Sequence, residues 1–234
     1  MPDPAFEVLG DAPFATGFER ATGAGTESAW RDLCTEIGPR VWAFSMLTPG
    51  ACERLLADVD RRVAEQGASG APNSMHGYGA VLGDLGLDGL LQALVERLAP
   101  LCRLHFEDTG GGAIDGRHGF LAEYGRDHDD SLGFHVDDSA VTLNLCLGED
   151  FSGSELYFQG LRCDRHRQTP TLRVEDFELE HVPGTAILHA GRHRHGVHPI
   201  RRGRRRNLIL WMQSRRSREA VTDCPSWCGA RDLP

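Results

Sequence analysis

The sequence predicts a mainly β domain with supporting α-helices, arranged as a sandwich or jelly roll. Three observations carry this. Short strand-like runs separated by turn residues dominate from Gly119 onward, and one of them, Val141 to Leu147, alternates aliphatic with small polar residues. Two helix-period segments precede them. At 234 residues, 40% of them apolar, the chain is expected to build one domain around a buried core.

Taken in order, the first forty residues are rich in Gly, Ala and Thr with weak periodicity, and are expected to form a loosely structured lead-in. A strand is predicted over Val41 to Leu47. Thr48-Pro49 follows, an N-cap residue with proline at the first helical position, which starts a helix from about Pro49 to Glu65. Gln66-Gly67 and the stretch from Gly70 to Pro72 end it. Leu87, Leu90, Leu91, Leu94, Val95, Leu98 and Leu101 repeat at three- and four-residue steps and predict a second helix with an apolar core face. Gly110 to Gly112 mark the passage into the sheet-rich region.

Within Val141 to Leu147, the odd positions should pack into the protein, while Thr142, Asn144 and Cys146 should face a polar cavity. Further strands are expected at Glu155 to Phe158, Glu178 to His181, Thr185 to His189 and Asn207 to Gln213.

The formal charge is -9, yet all 25 basic residues are arginine, and ten of these lie between Arg192 and Arg218. A solvated surface explains that patch better than nucleic-acid binding. No apolar run is long enough to cross a membrane, Met1 to Leu9 lacks the features of a signal peptide, and seven scattered cysteines suit reduced thiols. A cytoplasmic location is expected.

His135-Val136-Asp137 is an H-x-D pair whose spacing, on a strand, would put both side chains on one face. His195 lies sixty residues on. Two histidines and one carboxylate form the facial triad of iron(II) oxygenases, with positions left open for a chelating keto acid and dioxygen. The far carboxylate of such a keto acid needs a fixed cation, and a guanidinium offers a two-pronged match. Arg205 is the candidate, because strand parity puts Arg205, Asn207, Ile209 and Trp211 on one face and turns Arg204 and Arg206 away. His193 and His198 are alternatives to His195, but only His195 has a proline four residues on and an arginine ten residues on.

The run from Tyr124 to Phe158 contains H-x-D, Val141-Thr-Leu-Asn144 and Phe151-Ser-Gly-x-x-Leu-x-Phe158. Together with His195-x-x-x-Pro199, Gly203 and Arg205, it resembles the prolyl and lysyl hydroxylase branch of the Fe(II)/2-oxoglutarate-dependent dioxygenases. Within that branch it is most similar to the 2-oxoglutarate and iron-dependent oxygenase domain-containing proteins. The likeness spans roughly Asn73 to Cys228 and includes Asn73-Ser-Met-His-Gly-Tyr-Gly79 and Cys224-Pro225. It implies a double-stranded β-helix core, Fe(2+) held by His135, Asp137 and His195, and 2-oxoglutarate as co-substrate gripped by Arg205. It also implies a Tyr124 hydrogen bond to the keto acid, Thr142 and Asn144 as further lining residues, and L-ascorbate as reductant. The expected division is 1–113 as helical support, 114–216 as the oxygenase core and 217–234 as a tail. One departure stands out: the sequence reads Gly153-Ser154 where relatives commonly carry paired glycines.

The implied reaction is hydroxylation of an unactivated C–H bond, with an amino-acid side chain of a protein or peptide favoured as substrate. A small-metabolite hydroxylase is the alternative enzyme, and a metal-binding jelly-roll module that binds an anionic partner is the non-enzymatic one. Loops 67–79 and 162–176 are expected to select the substrate. Asp127, Asp129 and Asp130 read as a turn before a strand. Cys224 and Cys228, four apart, could join Cys163 and His166 in a zinc site, but the spacing is looser than that of a zinc knuckle, and the expectation is against it.

Overall fold

The computed structural model describes residues 3–67, 71–215 and 223–231. Gly70, part of loop 67–79, and residues 217–222 and 232–234 of the expected tail lie outside the described residues, as do Met1, Arg216 and Arg218.

The N-terminal forty residues are not a loose lead-in. They form a 3-10 helix (Pro4–Leu9), α1 (Thr16–Ala24), α2 (Glu27–Leu33) and β1 (Thr35–Gly38). Phe6, Leu9, Phe14, Phe18 and Trp30 are buried. The Phe6–Phe14 rings meet edge to face at 4.9 Å, Phe18 stacks on Phe44 at 5.9 Å, and the Arg97 guanidinium caps Phe6 and Phe14 at 4.5 Å from each ring. The three short helices contribute one buried aromatic residue each and Phe14 comes from the segment between two of them, so the buried surface leaves no regular period in the sequence.

The strand β2 (Val41–Ser45) leads into α3 (Pro49–Gln66), and the Thr48 hydroxyl accepts from the Ala51 N–H at 3.3 Å as its cap. After β3 (Gly79–Val81), α4 (Asp88–Phe106) buries Leu90, Leu91, Leu94, Leu98 and Leu101, as the leucine spacing predicts. The segment expected as helical support thus also supplies three strands. The remaining strands are β4 (Gly116–Gly125), β5 (Leu132–His135), β6 (Val141–Gly148), β7 (Phe151–Gly153), β8 (Leu156–Leu161), β9 (Asp176–Leu179), β10 (Thr185–Ala190), β11 (His193–Val197) and β12 (Ile200–Gln213).

The strands form two antiparallel sheets. The larger runs β1-β2-β10-β6-β12-β4-β3, with β7 pairing the start of β12, and the smaller runs β5-β11-β8-β9. The fold is the jelly roll of the double-stranded β-helix. The helices pack on the outer face of the larger sheet, where Leu143, Leu145 and Leu147 of β6 join Leu55, Leu94 and Leu98. The inner face meets the smaller sheet through a second cluster in which Phe120, Tyr124, Ile209 and Trp211 oppose Leu156, Phe158 and Val197. Alternation along β6 therefore separates two environments, as its sequence predicts.

Gly203 lets β12 serve both layers. It has φ +80°, and a Cβ there would lie 1.7 Å from the Asp150 carbonyl oxygen, so only glycine fits where β12 leaves β7 for β4 and β6. No helix among the described residues is long and apolar enough to cross a membrane.

Candidate metal and keto-acid site

His135 and His195 are direct partners in the β5–β11 register, so the sheet itself brings the two rings to a centroid separation of 4.2 Å. Asp137 differs from expectation in its placement. β5 ends at His135, and Asp137 sits beyond it, fixed by its N–H to the Gly191 carbonyl at 2.9 Å. Its carboxylate nevertheless reaches the same point, 3.5 Å from His135 Nε2 and 3.7 Å from His195 Nε2. One donor atom from each of the three residues falls within 4.8 Å of the others.

The protonation pattern suits a cation. His135 Nδ1 faces the Gly133 carbonyl at 2.8 Å and His195 Nδ1 faces the His193 carbonyl at 2.8 Å, so each Nδ1–H donates outward and each Nε2 lone pair turns inward. Burial would raise the Asp137 pKa, but the neighbouring His195 and His135 imidazoles outweigh it and hold the carboxyl well below the usual carboxylate range. Burial drives His195 well below its ordinary value and keeps it neutral.

Thr142 faces the cavity, as alternation predicts, and its hydroxyl donates to Asp137 Oδ2 at 2.6 Å, within reach of Ser139 Oγ at 2.7 Å. It aims the carboxylate. Thr142→Val is expected to weaken iron affinity by about 10–100-fold while leaving turnover at saturating iron largely intact, as an anaerobic iron titration would show.

Of the other histidines, His193 Nε2 donates to the Pro39 carbonyl at 3.1 Å and His198 lies half-exposed beside Glu178, so neither joins the triad. His189, on β10, was given no role from the sequence. It is fully buried with Nδ1 on the Ala190 carbonyl, and its Nε2 has no hydrogen-bond partner among the described residues and lies 4.0 Å from Asp137 Oδ2. His76 was likewise unassigned, although its Asn73-to-Gly79 loop stood out. Asn73 Oδ1 accepts from the Met75 and His76 N–H groups and from His76 Nδ1, and His76 Nε2 accepts from the Tyr124 hydroxyl at 3.2 Å. Asp129 ties down the same loop through the Gly77 N–H at 2.9 Å and the Tyr78 N–H at 3.3 Å. The acidic cluster therefore does more than turn the chain.

A narrow cleft joins these groups, lined by His135, Asp137 and His195 at one end and by Tyr124, Asn144, Ile209 and Trp211 along its walls. Arg205 is fully buried and does not itself line the cleft; its guanidinium lies 5.6 Å from the centroid of the Tyr124 ring. Its guanidinium donates to the Ser154 carbonyl, to Ser154 Oγ at 3.0 Å, to Asn207 Oδ1 at 2.9 Å and to His181 Nδ1 at 3.1 Å. Asn207 Nδ2 passes the network on to Asn144 Oδ1 at 2.5 Å. These partners are all neutral, and no carboxylate among the described residues forms an ion pair with Arg205. Ser154 adopts φ 61°, the left-handed conformation in which glycine is the easier residue, and contributes a hydroxyl that glycine lacks.

Strand parity assigns the neighbouring arginines correctly. Arg206 points to the other face and pairs with Asp60 at 2.6 Å, and Arg204 pairs with Glu123 at 2.6 Å. Arg192, Arg201, Arg202 and Arg215 also have acidic partners, so much of the basic C-terminal quarter is locally neutralised.

His181 gives the network a pH limit. Burial, then the Arg205 charge, pushes its pKa down to about 3. The unfolded state therefore binds a proton that the folded state refuses, and stability is lost as pH falls from the unfolded value of about 6.5 towards 3. His181→Gln is expected to flatten the pH dependence of unfolding free energy by up to about 1.4 kcal/mol per pH unit in that window. Urea melts of both proteins at pH 7 and pH 5 would show it, and equal slopes would remove the assignment.

An OGFOD2-like domain matches residues 5–111. The chain is 45% identical over 224 residues, 92% of its length and 57% of the relative's, to the 2-oxoglutarate and iron-dependent oxygenase domain-containing protein CP2 of Arabidopsis thaliana. It is 38% identical over 196 residues, 83% of its length and 54% of the relative's, to the 2-oxoglutarate and iron-dependent oxygenase domain-containing protein 2 of Homo sapiens. The chain thus spans a little over half the length of these curated relatives. Among solved structures, a Trichoplax adhaerens prolyl hydroxylase in complex with a hypoxia inducible factor peptide fragment matches with a TM-score of 0.55 at 15% identity, covering 86% of this chain and 92% of that one. A Pseudomonas putida prolyl-4-hydroxylase matches with a TM-score of 0.53 at 18% identity, covering 75% and 92%. These two share the fold. By sequence the chain is thus similar to the 2-oxoglutarate and iron-dependent oxygenase domain-containing proteins, over 92% of its length for the Arabidopsis relative and 83% for the human one.

Proposed function

We propose that the chain is an Fe(II)- and 2-oxoglutarate-dependent dioxygenase that hydroxylates an unactivated C–H bond of an amino-acid side chain in a protein or peptide. The observation that carries the reading is a pairing: three inward-facing metal donors in a cleft, and, linked to the cleft wall through Asn207 and Asn144 and packed near the Tyr124 ring, a buried guanidinium with only neutral partners. A buried cation without a counter-charge is costly, and a bound dicarboxylate would supply the missing anion. His135 and His195 contribute neutral imidazoles, and Asp137 an anionic oxygen aimed by Thr142. Bound iron with the keto acid supplies oxygen activation coupled to decarboxylation to succinate. Arg205 holds the far carboxylate, with Asn144 and Tyr124 on the cleft wall. Burial pushes the Tyr124 pKa up, so its phenol stays protonated and a donor; in this structure that proton goes to His76. Leu156, Val197, Ile209 and Trp211 keep water from the reacting centre.

A peptide substrate is favoured by the surface beside the cleft. β5 is an edge strand of the smaller sheet, Phe134 on it is 46% exposed, and an open groove with about 910 Å³ of space runs past Gly133, Tyr157, Asp176 and His198. An edge strand over an open groove suits an extended polypeptide. The solved neighbour with a bound peptide fragment adds weight to this reading. The test is turnover of 2-oxoglutarate to succinate with iron, offered peptide libraries and metabolite pools in parallel, with mass spectrometry reading the gain of one oxygen atom. Oxygen gained only by metabolites would shift the assignment to a small-molecule hydroxylase. An absence of oxygen consumption with every pool would favour a binding module.

A further inference from the structure

Away from the cleft, a second set of donors converges. The turn after β8 carries Cys163 and His166, and the C-terminal segment carries Cys224 and Cys228. His166 Nδ1 lies 3.4 Å from each of the three sulfurs, and Cys163 Sγ lies 4.0 Å from Cys224 Sγ. All four ligand atoms fall within 4.8 Å of one another.

We propose that Cys163, His166, Cys224 and Cys228 bind a structural zinc ion that staples the C-terminal segment to the loop following β8. Zinc–sulfur bonds of about 2.3 Å and zinc–nitrogen bonds of about 2.0 Å in a tetrahedron separate sulfurs by about 3.8 Å and sulfur from nitrogen by about 3.5 Å. The observed 4.0 and 3.4 Å match those spacings. A disulfide does not: its sulfurs sit about 2.05 Å apart, and it would leave the imidazole and the third thiol unexplained. Three sulfurs and one imidazole select zinc over magnesium or calcium, and four protein donors close the tetrahedron with no position open for a substrate. This centre is distinct in chemistry from the oxygen- and imidazole-based triad.

The backbone around the cluster is built to hold the segment in place. The Cys163 N–H points to Cys228 Sγ at 3.5 Å, and the Gly229 N–H donates to the Leu161 carbonyl at 3.0 Å. Gly229 lies so close to the Arg162–Glu175 ion pair that a Cβ would sit 2.3 Å from Glu175 Oε1. Arg162, whose side chain is fully buried, grips Glu175 through two bonds of 2.6 Å. Leu161 in turn pairs with His193 in the β8–β11 register, two residues from His195. The staple therefore braces the loop from 162 to 176 and the strand that carries a triad histidine.

The test uses the full chain purified under reducing conditions, with metal content measured by plasma mass spectrometry after dialysis against EDTA. One zinc per chain is expected to remain and to be released by a mercurial reagent that titrates thiols. A Cys224→Ser, Cys228→Ser double variant should lose this zinc, whereas Asp137→Ala should keep it. Because the double variant could unfold, wild-type protein loaded with cobalt(II) gives an independent reading: the intense thiolate-to-cobalt absorption of a tetrahedral site. Folded, reduced wild-type protein with neither retained zinc nor that absorption would overturn the proposal, as would unchanged zinc in a folded double variant.

Discussion

Asp137→Ala is expected to abolish succinate formation from 2-oxoglutarate, a loss of at least about a thousandfold, equivalent to about 4 kcal/mol of transition-state stabilisation. The substitution removes the one anionic donor of the set and leaves two neutral imidazoles, which hold a divalent cation far more weakly. It also strips Thr142 of its hydrogen-bond acceptor at 2.6 Å. The fold should survive, because the backbone N–H that fixes residue 137 to the Gly191 carbonyl is unaffected and alanine is smaller than the side chain it replaces. Circular dichroism with retained zinc would establish that, and stoichiometric succinate assays with added iron would read the loss. His135→Ala and His195→Ala should behave alike, since each removes an Nε2 turned inward by a backbone carbonyl at 2.8 Å. Normal turnover by folded Asp137→Ala protein would end the triad assignment.

How much of this was legible in the sequence depended on whether the relevant pattern was local. The alternation of β6 placed Thr142 and Asn144 on the cleft side, because a strand between a helix layer and a polar interior must carry two kinds of residue on its two faces. Parity along β12 separated Arg205 from Arg204 and Arg206 for the same reason. Residue pattern alone does not mark β11, and only the family resemblance implies that His195 lies on a late strand: His193-Arg-His-Gly-Val197 is buried throughout and carries three basic residues, so neither hydrophobicity nor alternation reveals it. The first forty residues hid their order because Phe6, Phe14, Phe18 and Trp30 each come from a different short element or turn. Cys163 and Cys224 are 61 residues apart and meet only through the fold, so the loose four-residue spacing of Cys224 and Cys228 gives no local sign that four donors converge. His189 and His76 had no spacing rule to reveal them: the one brings a buried Nε2 to 4.0 Å from Asp137, and the other rides on a loop folded onto Tyr124.

Arg205→Lys is expected to raise the KM for 2-oxoglutarate by about 100-fold, with a smaller effect on kcat, because it removes a charge-assisted hydrogen bond held in place by a rigid planar group, worth roughly 3 kcal/mol, while keeping the positive charge. Charge alone would not suffice if the reading is correct. The guanidinium commits four of its five N–H groups to Ser154, Asn207 and His181 in a fixed plane and keeps one for a bound carboxylate, and an ammonium with three donors cannot do all of this. Arg205→Ala is a harsher and less informative change, since it takes the guanidinium donor from the buried Ser154 carbonyl and Asn207 Oδ1 and leaves His181 Nδ1 only the Asn207 Nδ2 donor, and stability should fall with activity. The lysine variant separates the two effects. Iron affinity should be unchanged in it, because no triad donor is bonded to Arg205, and a 2-oxoglutarate titration of the anaerobic iron-loaded protein should require about 100-fold more keto acid to saturate. If that titration matches wild type, the buried guanidinium is a structural cation, and the far carboxylate must find its partner elsewhere on the cleft wall.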